Sequence, residues 1–150
     1  MPKFNYTFRA ATDRDFEFAR KLHRDTLKEY VASIWGWDED VQSRLVRERF
    51  DHNKITIIQW NGCDIGVLQL ETHCKEWFLA NIQLVPIHQG KGWGSRIIRD
   101  ILERADNQKI PVTLTVLRTN PARQLYERLG FVVVQQDDVR YYMKREVAGS

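Results

Sequence analysis

Residues 85–95 read Val-Pro-Ile-His-Gln-Gly-Lys-Gly-Trp-Gly-Ser, with glycines at the alternating positions Gly90, Gly92 and Gly94. A largely apolar stretch, residues 77–84, precedes this segment and a helical pattern follows it, which predicts a connection from a strand to a helix. Because glycine lacks a Cβ, a backbone built from it can approach a ligand closely. Amide N–H groups in such a turn, beside the positive end of a helix, favour a diphosphate, and Lys91 can add charge at the rim. The segment therefore predicts a phosphate-binding loop.

Spacing separates this loop from two other phosphate loops. A Walker sequence has four residues between its first glycine and Gly-Lys-Ser/Thr, and a dinucleotide fingerprint reads G-x-G-x-x-G. The pattern here is G-x-G-x-G, which disfavours a nucleotide-binding protein that recognises ATP or NAD. Taken alone, a glycine-rich turn is also consistent with a plain strand-to-helix connection.

The patterns on both sides of the loop predict the element order βααβββαβαββ. Strands joined by hairpins are antiparallel, whereas strand–helix–strand units are locally parallel. The predicted fold class is α/β (α+β), with a mixed, partly antiparallel central sheet flanked by helices, in one domain over residues 5–146 with a short tail, 147–150. The strands are predicted at 6–9, 55–60, 63–71, 77–85, 111–117, 131–135 and 139–144, and the helices at 16–34, 38–50, 95–105 and after Pro121.

Short local signals mark where these elements begin and end. Thr12 and Asp15 have the spacing of a capping box, and Asn61-Gly62 is a two-residue hairpin signal. Asn120 is predicted to cap the last helix, with Pro121 at its first position, and Gly130 to end it.

The two helices after the first strand are predicted to separate at a tryptophan-rich break. The break is Trp35-Gly36-Trp37, and Asp38 can cap the helix that follows it. Val41, Leu45 and Phe50 are expected on the inner face of that second helix.

Two motifs together resemble a known family. The stretch Gln89-Gly90-Lys91-Gly92-Trp93-Gly94 resembles the Q/R-x-x-G-x-G/A motif of the GNAT superfamily of N-acetyltransferases, and it follows Ile82-Gln83-Leu84-Val85-Pro86, which is also similar to that family. Residues 120–131, Asn-Pro-Ala-Arg-Gln-Leu-Tyr-Glu-Arg-Leu-Gly-Phe, resemble its second signature, N-x-x-A/R-x-x-x-Y-x-x-x-G-F, at the usual interval. The element order matches along essentially the whole chain. The pair of motifs is specific, whereas either alone is not.

The resemblance implies acetyl-CoA as co-substrate and no metal. Backbone amides of Leu84 and Val85 would hold the pantetheine arm where two parallel strands splay apart, and Asn120 would bond on the pantetheine side. Arg123 would lie near the nucleotide end of the cofactor. The diphosphate would be held by Gln89, Gly90, Lys91, Gly92, Gly94 and Ser95. Trp93 is bulkier than the usual aliphatic residue and is interpreted as an indole packed back against the sheet.

The implied activity is transfer of an acetyl group from acetyl-CoA to a primary amine by direct attack in a ternary complex. Tyr126 would lie beside the sulfur, where a phenol can donate a hydrogen bond or a proton as negative charge develops. Glu71, at a strand end, is the candidate base for the ammonium proton, although a solvated acid with no catalytic role fits the pattern equally well. A non-catalytic acyl-CoA-binding or sensing module on the same fold is the alternative function.

The amine acceptor is expected near the break between the first two helices. In the family this region shapes the acceptor pocket, and rings with nearby carboxylates can enclose a cationic amine. The candidate residues are Tyr30, Trp37, Asp38 and Glu39. The other interpretation, that Trp35 and Trp37 only cover the sheet, stays open.

Composition and charge limit which binding partners and which cellular compartment are expected. The formal net charge is +3 with a pI near 8.9 and no continuous basic stripe, so nucleic acid is not expected as a partner. Apolar runs are too short to cross a bilayer, and the first residues lack the features of a secretory signal, which favours a cytoplasmic protein. Cys63 and Cys74 are expected to be reduced thiols in or near the core. The expected partner is an amine-bearing small molecule or peptide, and the resemblance also implies a second copy of the chain in a homodimer, since family members often dimerise.

Overall fold

The order of helices and strands in the computed structural model, which describes residues 5–51 and 54–149, is the predicted βααβββαβαββ. The strands lie in the order β1-β2-β3-β4-β5-β7-β6, with β4 and β5 parallel and the other registered pairs antiparallel. The fold class is therefore confirmed. The predicted tail includes Ser150, which lies outside the described residues. The strands are β1 (Tyr6–Ala10), β2 (Ile55–Trp60), β3 (Cys63–Thr72), β4 (Trp77–Leu84), β5 (Val112–Leu117), β6 (Val132–Gln136) and β7 (Arg140–Arg145), and the helices are α1 (Phe16–Trp35), α2 (Glu39–Arg49), α3 (Trp93–Asn107) and α4 (Ala122–Arg128).

The described residues up to Gln69, together with 81–93, form one structural unit. In it β1 pairs with β2, and β2 turns into β3 through Asn61 and Gly62, whose φ angles are 56° and 78°. Positive φ at both positions is the mirror-image turn that suits a tight hairpin, so the predicted turn is confirmed. Gly66 lies so close to β4 that a Cβ there would be 2.3 Å from the Gln83 carbonyl oxygen. Glycine is thus required where β3 passes β4.

The entry to α1 is fixed by a buried carboxylate. Thr12 and Asp15 form the predicted capping box, and Asp15 is only 7% exposed. Arg9 on β1 donates two hydrogen bonds to Asp15, of 2.9 and 2.8 Å, and its Nη2 also lies 2.9 Å from Asp64 on β3. The Arg9 guanidinium is the main reason why the pKa of Asp15 lies below its usual range. One cation therefore ties two strands to the start of the first long helix.

α1 ends and α2 begins as predicted, but one inward residue was predicted wrongly. Gly36 at φ 77° ends α1, and Asp38 Oδ1 accepts a hydrogen bond of 3.1 Å from the Val41 amide. Val41 is exposed, because it lies in the capped first turn of a helix that buries no residue completely. Phe50, just after α2, is half-buried and meets the Phe16 ring edge-on at 5.6 Å.

Residues 70–80 and those from Gly94 onward form the second unit. Trp77 and Phe78 of β4 pair in parallel with Val112 and Thr113, and β7 pairs with the whole of β5. The Asn120 side-chain oxygen accepts a capping hydrogen bond of 2.9 Å from the Ala122 amide, although α4 begins at Ala122 and not, as predicted, at Pro121. The predicted inner face of α3 is fully buried and consists of Ile97, Ile98, Ile101, Leu102 and Ala105.

The β6–β7 hairpin turns at Asp137, between the strands predicted at 131–135 and 139–144. The Asp137 carboxylate accepts hydrogen bonds from the amides of Val139 and Arg140, of 2.8 and 2.7 Å. The register shifts within β6, leaving Val134 without a partner on β7, which is the pattern of a β-bulge. In the part of the chain that the structure describes, no helix is both long and apolar enough to cross a membrane.

Candidate active site

Residues 89–92, called the glycine loop below, connect a short 3-10 turn to α3. The turn is Pro86–His88, and α3 starts directly after the loop. Gly90 and Gly92 have φ angles of 70° and 92°, a region that residues with a Cβ rarely adopt. Space is open where a Cβ at Gly90 would lie. The Gln89 side chain donates 2.9 Å to the Leu84 carbonyl and so fastens the loop to the end of β4.

The amide groups of the loop determine what it can bind. Gln89 N–H donates to the Pro86 carbonyl at 3.1 Å, but the N–H groups of Gly90, Lys91 and Gly92 meet no acceptor among residues 5–51 and 54–149. Successive unpartnered amides at the start of a helix form an anion site. Lys91 is exposed beside them. The predicted diphosphate residues Gly94 and Ser95 follow in the first turn of α3. This arrangement fits a diphosphate.

The bulky Trp93 is buried, as the sequence interpretation expected. It is 4% exposed, and its ring centroid lies 5.5 Å from that of Trp60 at the end of β2 and 6.4 Å from that of His88. The indole therefore packs on the sheet and on the turn before the glycine loop.

The end of β4 offers fewer free amides than the sequence suggests. Val85 N–H donates 2.8 Å to the Ile65 carbonyl of β3, so it is already bonded. Successive amides of a strand point in opposite directions, and the Leu84 N–H therefore points away from β3. Gln83 is 6% exposed, and its side-chain nitrogen has no hydrogen-bond partner in the described chain. Gln83 was not among the predicted site residues. The signal that could have found it is a polar residue inside an otherwise largely apolar strand.

The second motif places its predicted residues around α4, in the second unit. A cleft of about 280 Å³ is lined by Arg118, Thr119, Asn120, Pro121, Arg123, Gln124 and Glu127. Arg123 stacks over the Tyr141 ring at 4.1 Å, and its Nε lies 3.0 Å from Glu127 Oε1 without an aligned hydrogen bond. Asn120 uses its side-chain oxygen for the cap, which leaves the amide nitrogen for a ligand.

Tyr126 projects from the same helix into a protected environment. Its ring meets Phe131 edge-on at 5.9 Å, and its hydroxyl has no hydrogen-bond partner in the described part of the chain. Burial raises the pKa of Tyr126 to about 12. The phenol is therefore protonated at neutral pH and can act as a hydrogen-bond donor.

Glu71 lies near the end of β3, as predicted, and is partly exposed. The Nε2 atom of His73 lies 3.6 Å from Glu71 Oε1. Both cysteines are free and exposed, which corrects the expectation that they lie in or near the core. Cys63 comes directly after a tight turn and Cys74 lies in the β3–β4 connection, where side chains meet solvent.

The predicted acceptor residues at the α1–α2 junction already have protein partners. Trp37 donates 2.7 Å to Glu39 Oε2 and stacks on His23 at 5.9 Å, and Lys28 lies 6.0 Å from the Trp37 ring. Glu39 also faces Arg20 at 3.6 Å and Arg24 at 3.9 Å. The hydrogen bond from Trp37, aided by these cations, lowers the pKa of Glu39. Asp38 caps α2, and Tyr30 is half-buried on α1.

Metal ligands are not grouped in the described residues. No cluster of three or more His, Cys, Asp or Glu side chains there could hold an ion. The structure thus brings together the glycine loop with Gln83 and Leu84 in one unit, and Asn120, Arg123 and Tyr126 in the other.

Several solved structures share the fold of this chain. The chain is similar to PaiA N-acetyltransferase from Thermoplasma acidophilum in complex with coenzyme A, with a TM-score of 0.76 and 19% identity over 95% of this chain and 99% of that one. It is also similar to Ard1 from Thermoplasma volcanium, with a TM-score of 0.65 and 19% identity over 95% of this chain and 97% of that one. A third similar structure is the ribosomal-protein-S18-alanine N-acetyltransferase from Escherichia coli, with a TM-score of 0.66 and 17% identity over 97% of this chain and 96% of that one.

The family model of the acetyltransferase (GNAT) domain matches residues 25–143. That range is well over half of the chain and contains both motifs, the glycine loop and α4. The solved structures share the fold over nearly the full length of the chain. The chain belongs to the GNAT acetyltransferase family.

Proposed function

We propose that this protein transfers an acetyl group from acetyl-CoA to a primary amine of a small molecule or peptide, by direct attack in a ternary complex. The observation that carries the proposal is the glycine loop, where three successive amides without protein acceptors precede a helix. A diphosphate needs several convergent donors and no side chain in the way. Open space at Gly90 meets the second requirement.

The remaining cofactor contacts follow from which groups are free. Leu84 N–H, which points away from β3, is assigned to the pantetheine arm, because Val85 N–H is bonded to Ile65. The unpartnered Gln83 amide is a further donor for that arm. The Asn120 amide nitrogen is assigned to the pantetheine portion of the cofactor. The Arg123 guanidinium is assigned to its nucleotide portion.

Bound acetyl-CoA supplies the acetyl thioester. In the transfer, the amine nitrogen forms a bond to the acetyl carbon, the carbon–sulfur bond breaks, and the amine loses a proton. Tyr126 donates a hydrogen bond to the departing sulfur. A thiol has a pKa of about 8.5, whereas burial raises the pKa of Tyr126 to about 12, so complete proton transfer from the phenol is uphill. Its role is therefore stabilisation of thiolate charge.

Glu71 is proposed to take the amine proton, directly or through water. It is partly exposed and has no arginine or lysine contact among the described residues. Glu39 is a weaker candidate for an ammonium, because Arg20, Arg24 and Trp37 already surround its carboxylate. Acceptor recognition at the junction is accordingly assigned to Tyr30, to the ring of Trp37 and to the second carboxylate oxygen of Asp38.

The proposal is tested by binding and turnover measured separately. Acetyl-CoA with a chelator present should raise the melting temperature, because ligand binding favours the native state. A panel of small-molecule amines and peptide N-termini should then release CoA at rates that depend on both substrates. Binding without CoA release from any amine would favour the non-catalytic acyl-CoA-binding module. Absence of binding would refute both functions.

A further inference from the structure

The base of the glycine loop is closed by an aromatic cluster, Trp60, His88 and Trp93. His88 precedes the loop and Trp93 follows it, with ring centroids 6.4 Å apart at 89°. Trp60, the last residue of β2, meets His88 at 5.9 Å and 76° and Trp93 at 5.5 Å and 62°. All three pairs have the edge-to-face geometry that aromatic quadrupoles favour. The two ends of the loop are thus held together and against the sheet.

Hydrogen bonds reinforce the base of the loop and leave its outer part free. His88 N–H donates to the Val85 carbonyl at 2.9 Å, and Gln89 is bonded through its backbone to Pro86 and through its side chain to Leu84. Beyond Gln89, no amide up to Gly92 has an acceptor in the described residues. The contacts of the protein therefore fix the shape of the loop without occupying its donors.

We propose that Trp60 and His88 are positioning residues that hold the glycine loop in its ligand-binding shape before acetyl-CoA arrives. The identity of the ligand rests on the proposed function. A short segment with two glycines has many accessible conformations, and ordering it on binding opposes affinity. Holding it in advance removes part of that cost, which is preorganisation.

Burial decides which members of the cluster can be tested. Trp93 is 4% exposed, so its replacement is expected to disturb the core. Trp60 and His88 are half-buried and lie at the end of a strand and in a turn. Replacing either one removes two ring contacts and leaves Trp93 in place.

The experiment measures the Kd of acetyl-CoA by calorimetry and steady-state kinetics for paired variants. His88→Ala and Trp60→Leu should each raise the Kd roughly tenfold, with kcat at saturating acetyl-CoA changed less than about twofold. His88→Phe and Trp60→Phe keep a ring and should stay close to the wild-type Kd. Trp35→Leu, at an exposed tryptophan at the end of α1, is the control and should leave the Kd unchanged.

Amide hydrogen exchange without ligand gives a second measurement that does not depend on the cofactor. Exchange at the amides of residues 88 and 89 should accelerate in His88→Ala and Trp60→Leu and stay slow in the phenylalanine variants. Unchanged Kd and exchange in the first two variants would overturn the inference. Equal loss of affinity in His88→Phe and His88→Ala would overturn it too, because the imidazole would then contact the ligand itself. A wild-type protein that does not bind acetyl-CoA would refute the proposed function, and the exchange data would still decide whether the cluster holds the loop.

Discussion

At the scale of single residues, the protonation state of Tyr126 decides which chemical role it can take. Burial raises the pKa of Tyr126 to about 12, so the phenol stays protonated at neutral pH, where it can donate a hydrogen bond but cannot act as a base. In Tyr126→Phe, kcat should fall roughly 100-fold while the Kd of acetyl-CoA stays near wild type, since the proposed role of the hydroxyl is to stabilise the departing sulfur. Steady-state kinetics with calorimetry measure both quantities.

Tyr142→Phe is the matched control for that substitution. Its hydroxyl donates 3.2 Å to Asp137 in the β6–β7 hairpin, and its loss should leave kcat unchanged. A Tyr126→Phe enzyme with full kcat would leave Tyr126 only a packing role against Phe131.

The proposed role of Glu71 as the base predicts how the reaction depends on pH. A base matters most where the acceptor amine is protonated, so Glu71→Gln should lower kcat/KM about tenfold or more near pH 6.5 and much less near pH 9. Glu76→Gln is the control, because Glu76 lies in the β3–β4 connection shortly after Glu71 and accepts a hydrogen bond of 3.3 Å from the Thr113 hydroxyl. A loss that is equal at every pH would show that Glu71 is not the base.

At the scale of elements, the glycine loop offers a comparison between two glycines with similar backbones. Gly90 and Gly62 have φ angles of 70° and 78°, with open space around both. Alanine at either position adds backbone strain of about 1–2 kcal/mol, so both variants should lose a similar amount of stability. Only Gly90→Ala should weaken acetyl-CoA binding, by about tenfold or more, because relief of strain there reorients loop amides. Thermal unfolding and calorimetry test this pair, and equal affinities would remove Gly90 from the site.

The elements themselves could be predicted because their signals are local. The Asn61-Gly62 turn, the Thr12–Asp15 capping box and the apolar face of α3 depend on neighbouring residues, and all three are confirmed. The exposure of Val41 was predicted wrongly, because periodicity gives the face of a helix but not how deeply that face is covered. The two cysteines show the same limit. Cysteine is usually buried, but both lie in or next to connections between strands, and there they are exposed.

The candidate site could be predicted only in part, for a physical reason. The motifs give the residues of the glycine loop and α4, but hydrogen bonds to other strands decide which groups remain free. The bond from Val85 to Ile65 and the partners of Glu39 come from tertiary packing and leave no pattern in the sequence. The contact of Trp60 with the residues beside the glycine loop also comes from tertiary packing, because Trp60 is distant from the loop in sequence.

At the scale of the whole molecule, stability should depend strongly on Arg9. Arg9→Ala leaves Asp15 buried without its cation, which should cost about 3 kcal/mol of unfolding free energy. Arg20→Ala is the control, because its pair with the exposed Glu17 is screened by solvent and should contribute little to stability. Urea unfolding measures both variants, and a similar small loss in the two would contradict the assigned role.

The same pair predicts how stability changes with acid. Because the pKa of Asp15 is lowered in the folded protein, its contribution is fully present above the usual carboxyl pKa of about 3.9 and is lost as the pH falls through the folded value. The difference in stability between wild type and Arg9→Ala should therefore be constant near neutral pH and shrink below about pH 4. A difference that does not change with pH would indicate a packing effect of the Arg9 side chain.

The bulge at Val134 has a consequence for solubility. β6 is the last strand of the sheet, has no charged residue, and exposes 59% of both Val132 and Val134. Edge strands are usually protected from joining other molecules by charges, by short length or by a bulge. Here the bulge interrupts a strand edge that carries no charge of its own. Deleting Val134 would straighten that edge, and we expect the variant to precipitate at lower protein concentration than the wild type, most of all near pH 8.9, where net repulsion between molecules vanishes.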